Sequence, residues 1–269
     1  MKKTNNIIFT SSPWGFRETD FCLQCQWLKH NNIDFICGQL FDSPGLFSPK
    51  LSKEKLLQKL DIANKYNLKF ASFNVNGDFT VDQNIDKEIE ICKNDIKKAS
   101  LFSPQIIIVF AGWQERTDEA VFDQISDSLQ EIADYASEFG IKVALENHGG
   151  LTTTPQQINR ILDKVHSNNI GLNYDPANFL MYAQDPLKAL NTIDHPIFFT
   201  HFKSLKLVNG AKEYCRINEG EIDYKPILDA ISHRYSGFYG LEYEETTDVF
   251  EGSQDDLNTL KQLLNLKEI

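Results

Sequence analysis

The sequence predicts an α/β protein folded as a single (β/α)8 TIM barrel over residues 1–269, and three observations carry that prediction. Short apolar runs alternate with longer segments of helical period from one end of the chain to the other. Such alternation demands a parallel sheet, because each crossover helix must carry the chain back to the start of the next strand. Eight such units in 269 residues match the usual size of a closed barrel, roughly 250 residues.

The apolar runs place strands at 6–10, 34–38, 69–74, 105–111, 142–146, 171–175, 197–201 and 238–242. Between them, Ile85, Ile89, Cys92, Ile96 and Ala99 step by four and three, as do Phe122, Ile125, Leu129, Ile132 and Ala136, which is the period of an amphipathic helix. A last helix is expected around 255–266, with Leu257, Leu260 and Leu264 on one face. A doubly wound open sheet would carry a Gly-rich turn after its first strand, and "FTSSPWG" is not one. No Pro-rich or Ser-rich linker divides the chain, so one domain is expected.

With 38 acidic against 27 basic side chains and a net charge of −11, the chain would repel phosphate-rich polymers, and no basic patch compensates. Nucleic acid is therefore not an expected partner. The first ten residues hold an apolar stretch of about four, short of the ~7–15 of a signal-peptide core. No window approaches the ~18 apolar residues of a membrane span. A cytoplasmic location follows as the expectation, and five cysteines, an odd number, fit reduced thiols there. Cys22 and Cys25 form a C-x-x-C without a second pair, and read as helix packing residues.

In such a barrel chemistry sits where the strands end and the βα loops converge. The fifth predicted strand ends in Glu146, the sixth in Asp175, the seventh in His201 and the eighth in Glu242. Residues two apart share a side of a strand, so Glu146 with His148, Asn173 with Asp175, His201 with Lys203, and Glu242 with Glu244 each offer a pair to one cavity. A single acid at a strand end is ordinarily a helix cap or a surface ion-pair partner, and Glu244, Glu245 or Asp223 alone would be read so. Four consecutive strands delivering a ligand at one level would require four coincidences. Three carboxylates crowded together repel one another unless a cation neutralises them. Three carboxylates and an imidazole make a mostly oxygen-donor set, suited to manganese, magnesium or cobalt, with zinc or iron also admissible.

At these residues the sequence resembles the xylose isomerase-like barrel superfamily, the sugar-phosphate isomerase/epimerase group that includes tagatose and psicose 3-epimerases, hydroxypyruvate isomerases and inosose dehydratases. The likeness runs over most of the chain and is carried by "GIKVALENHGG", "IGLNYDPANF", "HFKSLK", "NEGEIDYKPIL" and "GFYGLEYE". It implies one divalent metal held by Glu146, Asp175, His201 and Glu242, with the two glutamates as the catalytic acid/base pair. It also departs from the group's pattern: Ser204 follows Lys203 where an aspartate is common, Asn218-Glu219-Gly220 replaces a Gly-x-Gly, and Leu205, Lys206 and Leu207 stand where the epimerases carry an arginine. Arg216 is the candidate to substitute from the loop. These changes spare the metal set and leave the substrate open.

The chemistry implied is removal of a proton from a C–H beside a carbonyl, with the metal stabilising the enediolate as a Lewis acid. Glu146 and Glu242 would take and return the proton, to the neighbouring carbon in an isomerase or to the opposite face in an epimerase. His148 is expected to bind a substrate hydroxyl, and Lys203 to hold an anionic oxygen or balance charge. Trp14 and Trp113 are candidate walls for the C–H face of a sugar, and Asn178 a support for Asp175. Expulsion of a β-hydroxyl by the same residues would make a lyase. A non-catalytic sugar-binding barrel would need no base pair. An apurinic-site endonuclease would need further histidines, and Asn178 occupies one of their places among six His in all. The expected partner is a small sugar, and pairing of barrels into a homodimer is common in the group.

Overall fold

The computed structural model describes residues 6–114, 116 and 118–266. Eight of its strands form one sheet: β1 (Ile7–Ser11), β2 (Phe35–Gln39), β3 (Lys69–Asn74), β4 (Ile106–Val109), β5 (Lys142–Glu146), β6 (Ile170–Tyr174), β7 (Ile197–Phe202) and β10 (Gly237–Leu241). All neighbours are parallel, and their spatial order β1-β10-β7-β6-β5-β4-β3-β2 follows the chain around a nearly closed (β/α)8 barrel. The ladder joins first strand to last, Ile7 opposite Gly237 through Ser11 opposite Leu241. No ladder joins β1 to β2 among the described residues. There the Thr10 hydroxyl donates to the Phe35 carbonyl at 3.0 Å and lies 3.3 Å from Cys37 Sγ, so side chains close the seam.

Helices α1 (Phe21–His30), α2 (Lys53–Lys65), α3 (Ile85–Ala99), α4 (Ala120–Ser137), α5 (Pro155–Leu162), α6 (Pro176–Met181), α7 (Pro186–Thr192), α8 (Tyr224–Arg234) and α9 (Val249–Leu263) fill the crossovers. The large apolar core lies between them and the outer face of the strands, and takes in Ile107, Val109, Val143 and Leu145. A smaller cluster of strand residues, Cys37, Ala71, Ile106, Ile108, Ala144, Phe199 and Phe238, fills the barrel interior. This alternation aims the site. Counting by twos, Ala144 leads to Glu146 and Phe199 to His201, so the apolar inner layer gives way to polar side chains where the strands end.

Three local differences from the sequence expectation have physical reasons. A hairpin, β8 (Ser204–Val208) and β9 (Ala211–Cys215), occupies a stretch expected to be loop. Its turn, Asn209-Gly210, has φ of 50° and 86°, the left-handed pair that a tight two-residue hairpin demands. Helix α9 starts at Val249, well before 255, because Gly252 lets the Tyr243 ring lie where a Cβ would otherwise sit. Strand β4 stops at Val109 rather than 111, and the chain turns out through Gly112 at φ 136° toward Trp113. Cys25 is fully buried in the core and Cys22 lies 3.3 Å from the Tyr66 hydroxyl, so the C-x-x-C packs as expected. No described helix is long and apolar enough to cross a membrane.

Candidate metal centre and its cavity

Glu146, Asp175, His201 and Glu242 meet at the C-terminal mouth of the barrel, all buried, each offering one ligand atom within 4.8 Å of the others. Each side chain is held by the chain around it. Glu146 accepts from Asn178 Nδ2 at 3.1 Å on Oε1 and from Asn173 Nδ2 at 3.0 Å on Oε2. Glu242 accepts from the Ser12 hydroxyl at 2.8 Å on Oε1 and from Lys203 at 2.8 Å on Oε2. His201 Nδ1 stands 3.5 Å from Glu146 and 3.4 Å from Glu242.

Asp175 falls one residue beyond β6 and divides its carboxylate between two tasks. Oδ1 caps α6, accepting from the N–H groups of Ala177 at 2.8 Å and Asn178 at 3.2 Å. Oδ2 faces the cluster and accepts no hydrogen bond; Lys203 Nζ is 3.1 Å away but outside hydrogen-bonding geometry. Asn147 grips the Asp175 backbone from both sides, donating to its carbonyl at 2.8 Å and accepting from its N–H at 2.9 Å. The polar end of the fifth strand is thus explained residue by residue: Glu146 is a ligand candidate and Asn147 clamps the next strand.

Lys203 is the chain's own answer to the crowding of acids. Buried to 2% exposure, its ammonium also reaches Glu244 at 2.9 Å. Burial alone would weaken that charge, yet Asp175, Glu242 and Glu244 hold its pKa well above the usual lysine value. Burial likewise disfavours charge on Glu242, but His201 and Lys203 outweigh it and bring its pKa down to about 2. Glu146 is lowered in the same way, by His201 against burial. For Asp175 burial wins, with Glu242 and Glu146 adding to it against Lys203, and its pKa rises to about 6. His201 is lowered by burial but raised more by the glutamates, to about 9.

The residues fit a divalent cation. Asp175 Oδ2 and His201 Nε2 are buried without a hydrogen-bond partner, a state that costs roughly 1–3 kcal/mol per group unless something binds there. Three carboxylates and an imidazole are the donors a hard or borderline dication takes.

A cavity of about 670 Å³ opens onto the cluster, lined in part by Glu146, His148, Lys203 and Glu242. Trp14 and Trp113 line it too, Trp14 edge-on to Phe41 at 5.6 Å and Trp113 at 5.5 Å from the His148 ring. Asn178 supports Glu146 with its side chain and Asp175 with its backbone N–H, a broader part than the sequence suggested. Arg216 lies apart from this lining, paired with Asp248 at 3.0 Å and Asp255 at 2.6 Å. Ser12 and Tyr214 are not among the residues expected at the site, and Asn173 and Glu244 are expected there only as cavity-side neighbours of Asp175 and Glu242. Spacing by twos from Asp175 and Glu242 already placed Asn173 and Glu244 on the cavity side; Tyr214 belongs to the unforeseen hairpin, and Ser12 left no signal. A larger cavity, about 820 Å³, lies beside Lys142, Ile197 and Gly237 at the opposite end of the strands. Its cations are occupied, Lys142 over the Phe198 ring at 4.7 Å and Arg234 on the Leu190 and Ile193 carbonyls, and it holds no ligand cluster.

Known proteins share this architecture. The chain is 23% identical over 281 residues to an inosose dehydratase of Lactiplantibacillus plantarum, with 91% of each chain covered. A D-tagatose 3-epimerase-like protein superposes with a TM-score of 0.79 at 18% identity, covering 96% of this chain and 97% of its own. The IOLI protein, solved with a bound zinc atom, does so with a TM-score of 0.78 at 17% identity, covering 97% of this chain and 100% of its own. Residues 26–263 match the family model of the xylose isomerase-like TIM barrel, and the chain belongs to that family.

Proposed function

We propose that this protein is a divalent-metal-dependent enzyme that moves or inverts a carbonyl-adjacent centre in a sugar, an isomerase or epimerase. The observation that carries the reading is the meeting of Glu146, Asp175, His201 and Glu242 within 4.8 Å at the floor of a cavity. A bound dication there would supply Lewis-acid stabilisation of charge developing on a carbonyl oxygen. The remaining work falls to the chain. Glu146 and Glu242 are both held ionised at neutral pH, the state from which a base removes a proton. Hydrogen bonds from Asn173, Asn178 and Ser12 fix where each carboxylate points, which keeps the reacting groups aligned. One glutamate takes the proton from carbon and the other delivers one, to the adjacent carbon or to the opposite face.

Solvent exchange tests this directly. Protein supplied with manganese or magnesium, incubated in D₂O with a panel of ketoses and keto-sugars, is expected to place deuterium on one carbon next to the carbonyl. Absence of label in every sugar that binds would overturn the reading. A second reading is favoured by the dehydratase relative, which matches over 91% of both chains. In that case the same proton is removed, a carbon–carbon double bond forms, and the β-hydroxyl leaves as water after taking a proton from a carboxylic acid. A product lighter by one water separates the two.

A further inference from the structure

Resting on that reading of the site, we infer that the cavity takes an uncharged polyhydroxylated carbonyl compound, a free keto-sugar or a cyclitol ketone, and rejects its phosphate ester. The lining carries the argument. Five carboxylates face the cavity, those of Asp78, Glu88, Glu146, Glu242 and Glu244, against the single ammonium of Lys203. That ammonium is spent on Asp175, Glu242 and Glu244 at 3.1, 2.8 and 2.9 Å. Even the two charges of a divalent cation would leave the lining negative.

Cations on the neighbouring loops are committed elsewhere. Arg17 donates to the carbonyls of Trp14 at 2.8 Å and Glu244 at 3.0 Å. Arg116 pairs with Asp82 and Asp118, Arg216 with Asp248 and Asp255, and Lys212 donates to the carbonyls of Leu180 and Met181. The N-terminus of α6, which opens at the cluster, is already filled by Asp175 Oδ1. A phosphate monoester carries about −1.5 to −2 charges at neutral pH and is bound through charge-assisted donors. None of the described cations lining this cavity is free to be one.

What the walls do offer suits hydroxyls and C–H faces. The side-chain amides of Gln39 and Asn74 line the cavity without a hydrogen bond to another described residue. Trp14 with Phe41 forms one aromatic wall, and Phe110, Trp113 and His148, with ring centroids 5.0 to 5.5 Å apart, form another. Aromatic faces of this kind pack against the apolar side of a sugar ring or chain.

The test uses the full chain with manganese or magnesium and reads binding by tryptophan fluorescence. Trp14 and Trp113 stand in the cavity while Trp27, the third, lies in the core. The probes are D-fructose, D-tagatose, D-psicose and 2-keto-myo-inositol, together with the 6-phosphates of the three ketoses. At least one neutral compound is expected to shift the fluorescence, with every ester at least tenfold weaker than its parent. Glu88→Gln should narrow that gap roughly fivefold, the effect of one unit charge on a phosphate of about −1.5 to −2 at a separation on the order of 8 Å in a water-filled cavity of effective dielectric about 80. An ester that binds as well as its parent, a gap unmoved by Glu88→Gln, or a panel with no response at all would each overturn the inference. Neutral binding without any deuterium incorporation in D₂O would uphold the inference while removing the proposed proton chemistry.

Discussion

Replacing Lys203 by methionine probes how the barrel mouth tolerates its acids. The ammonium is 2% exposed and sits 2.8 to 3.1 Å from three carboxylates. At about 3 Å and an effective dielectric of about 20, each contact is worth on the order of 5 kcal/mol before desolvation. Most of that gross attraction is offset by the cost of stripping water from four charged groups, and removal of one partner from a buried ion pair typically costs about 3–5 kcal/mol. For a chain of this size, at roughly 2–4 °C per kcal/mol, Lys203→Met should melt about 6–20 °C below the wild type in EDTA. Because Asp175 and Glu242 are also ligand candidates, the lost ammonium leaves them more attractive to a dication. Manganese should therefore raise the melting temperature of Lys203→Met more than that of the wild type. Adding Glu244→Gln removes the carboxylate outside the ligand set, and the double-mutant cycle should return a coupling of about 1–3 kcal/mol. Calorimetric melts of the four proteins, with and without metal, decide it. A Lys203→Met variant within 1 kcal/mol of wild type in EDTA, or a coupling of zero, would refute the account of Lys203 as the built-in counter-charge.

Glu146→Gln and Glu242→Gln should each cut deuterium incorporation by about 10²–10⁴ while leaving the circular dichroism spectrum unchanged; activity within tenfold of wild type in either would remove that glutamate from the acid/base pair. Asn173→Ala deprives Glu146 Oε2 of its 3.0 Å donor and should weaken metal binding about 10–100-fold by titration calorimetry, so an unchanged affinity would deny it a positioning role. Asp256 supplies a pH prediction away from the site: fully buried, it accepts the Ile217 N–H at 2.6 Å, and burial raises its pKa to about 7. A folded-state value above the unfolded value of about 3.9 means its protonated form stabilises the fold fully below about pH 4, and the contribution is lost as pH rises to about 7. Across that window the stability of wild type relative to Asp256→Asn should fall by on the order of 4 kcal/mol, and parallel urea-denaturation profiles from pH 4 to 8 would contradict it.

Legibility followed the strength of the local pattern. Strands β3 and β5 were readable to the residue, as Lys69–Asn74 and Lys142–Glu146, because each apolar run is bounded by a charged residue at its start and a polar one at its end. Helices α3 and α4 announced themselves by long four-and-three periodicity. The hairpin is not legible although Asn209-Gly210 is a strong turn signal, because the stretch after the seventh-strand motif falls where a (β/α)8 barrel expects a βα loop. In α9 the buried Gly252 concealed the first turns, since its contact with Tyr243 is invisible until the chain is folded. The four-residue cluster was legible because strand alternation fixes which side each residue faces. Partners that reach it across the barrel, Ser12 above all, leave no mark in spacing. Arg216 could not be placed from sequence either, since its choice between the cavity and Asp248 and Asp255 depends on how the short helical turn Ile217–Glu219 and α9 meet after the hairpin.

Ser12 shows how closure of the sheet assembles the site. Its hydroxyl reaches Glu242 across 230 residues of chain, and the pairing of Ser11 with Leu241 puts the two next to each other. The ladder between the first and last strands therefore does more than hold the barrel together, because it supplies the donor that fixes one of the two candidate acid/base groups. On the other flank β1 meets β2 with no backbone ladder among the described residues, and the Thr10 hydroxyl donates to the Phe35 carbonyl there. Among the described residues the first strand is thus laddered to β10, the strand that Glu242 follows, and not to β2. Closure of the sheet and the positioning of Glu242 are therefore one structural event.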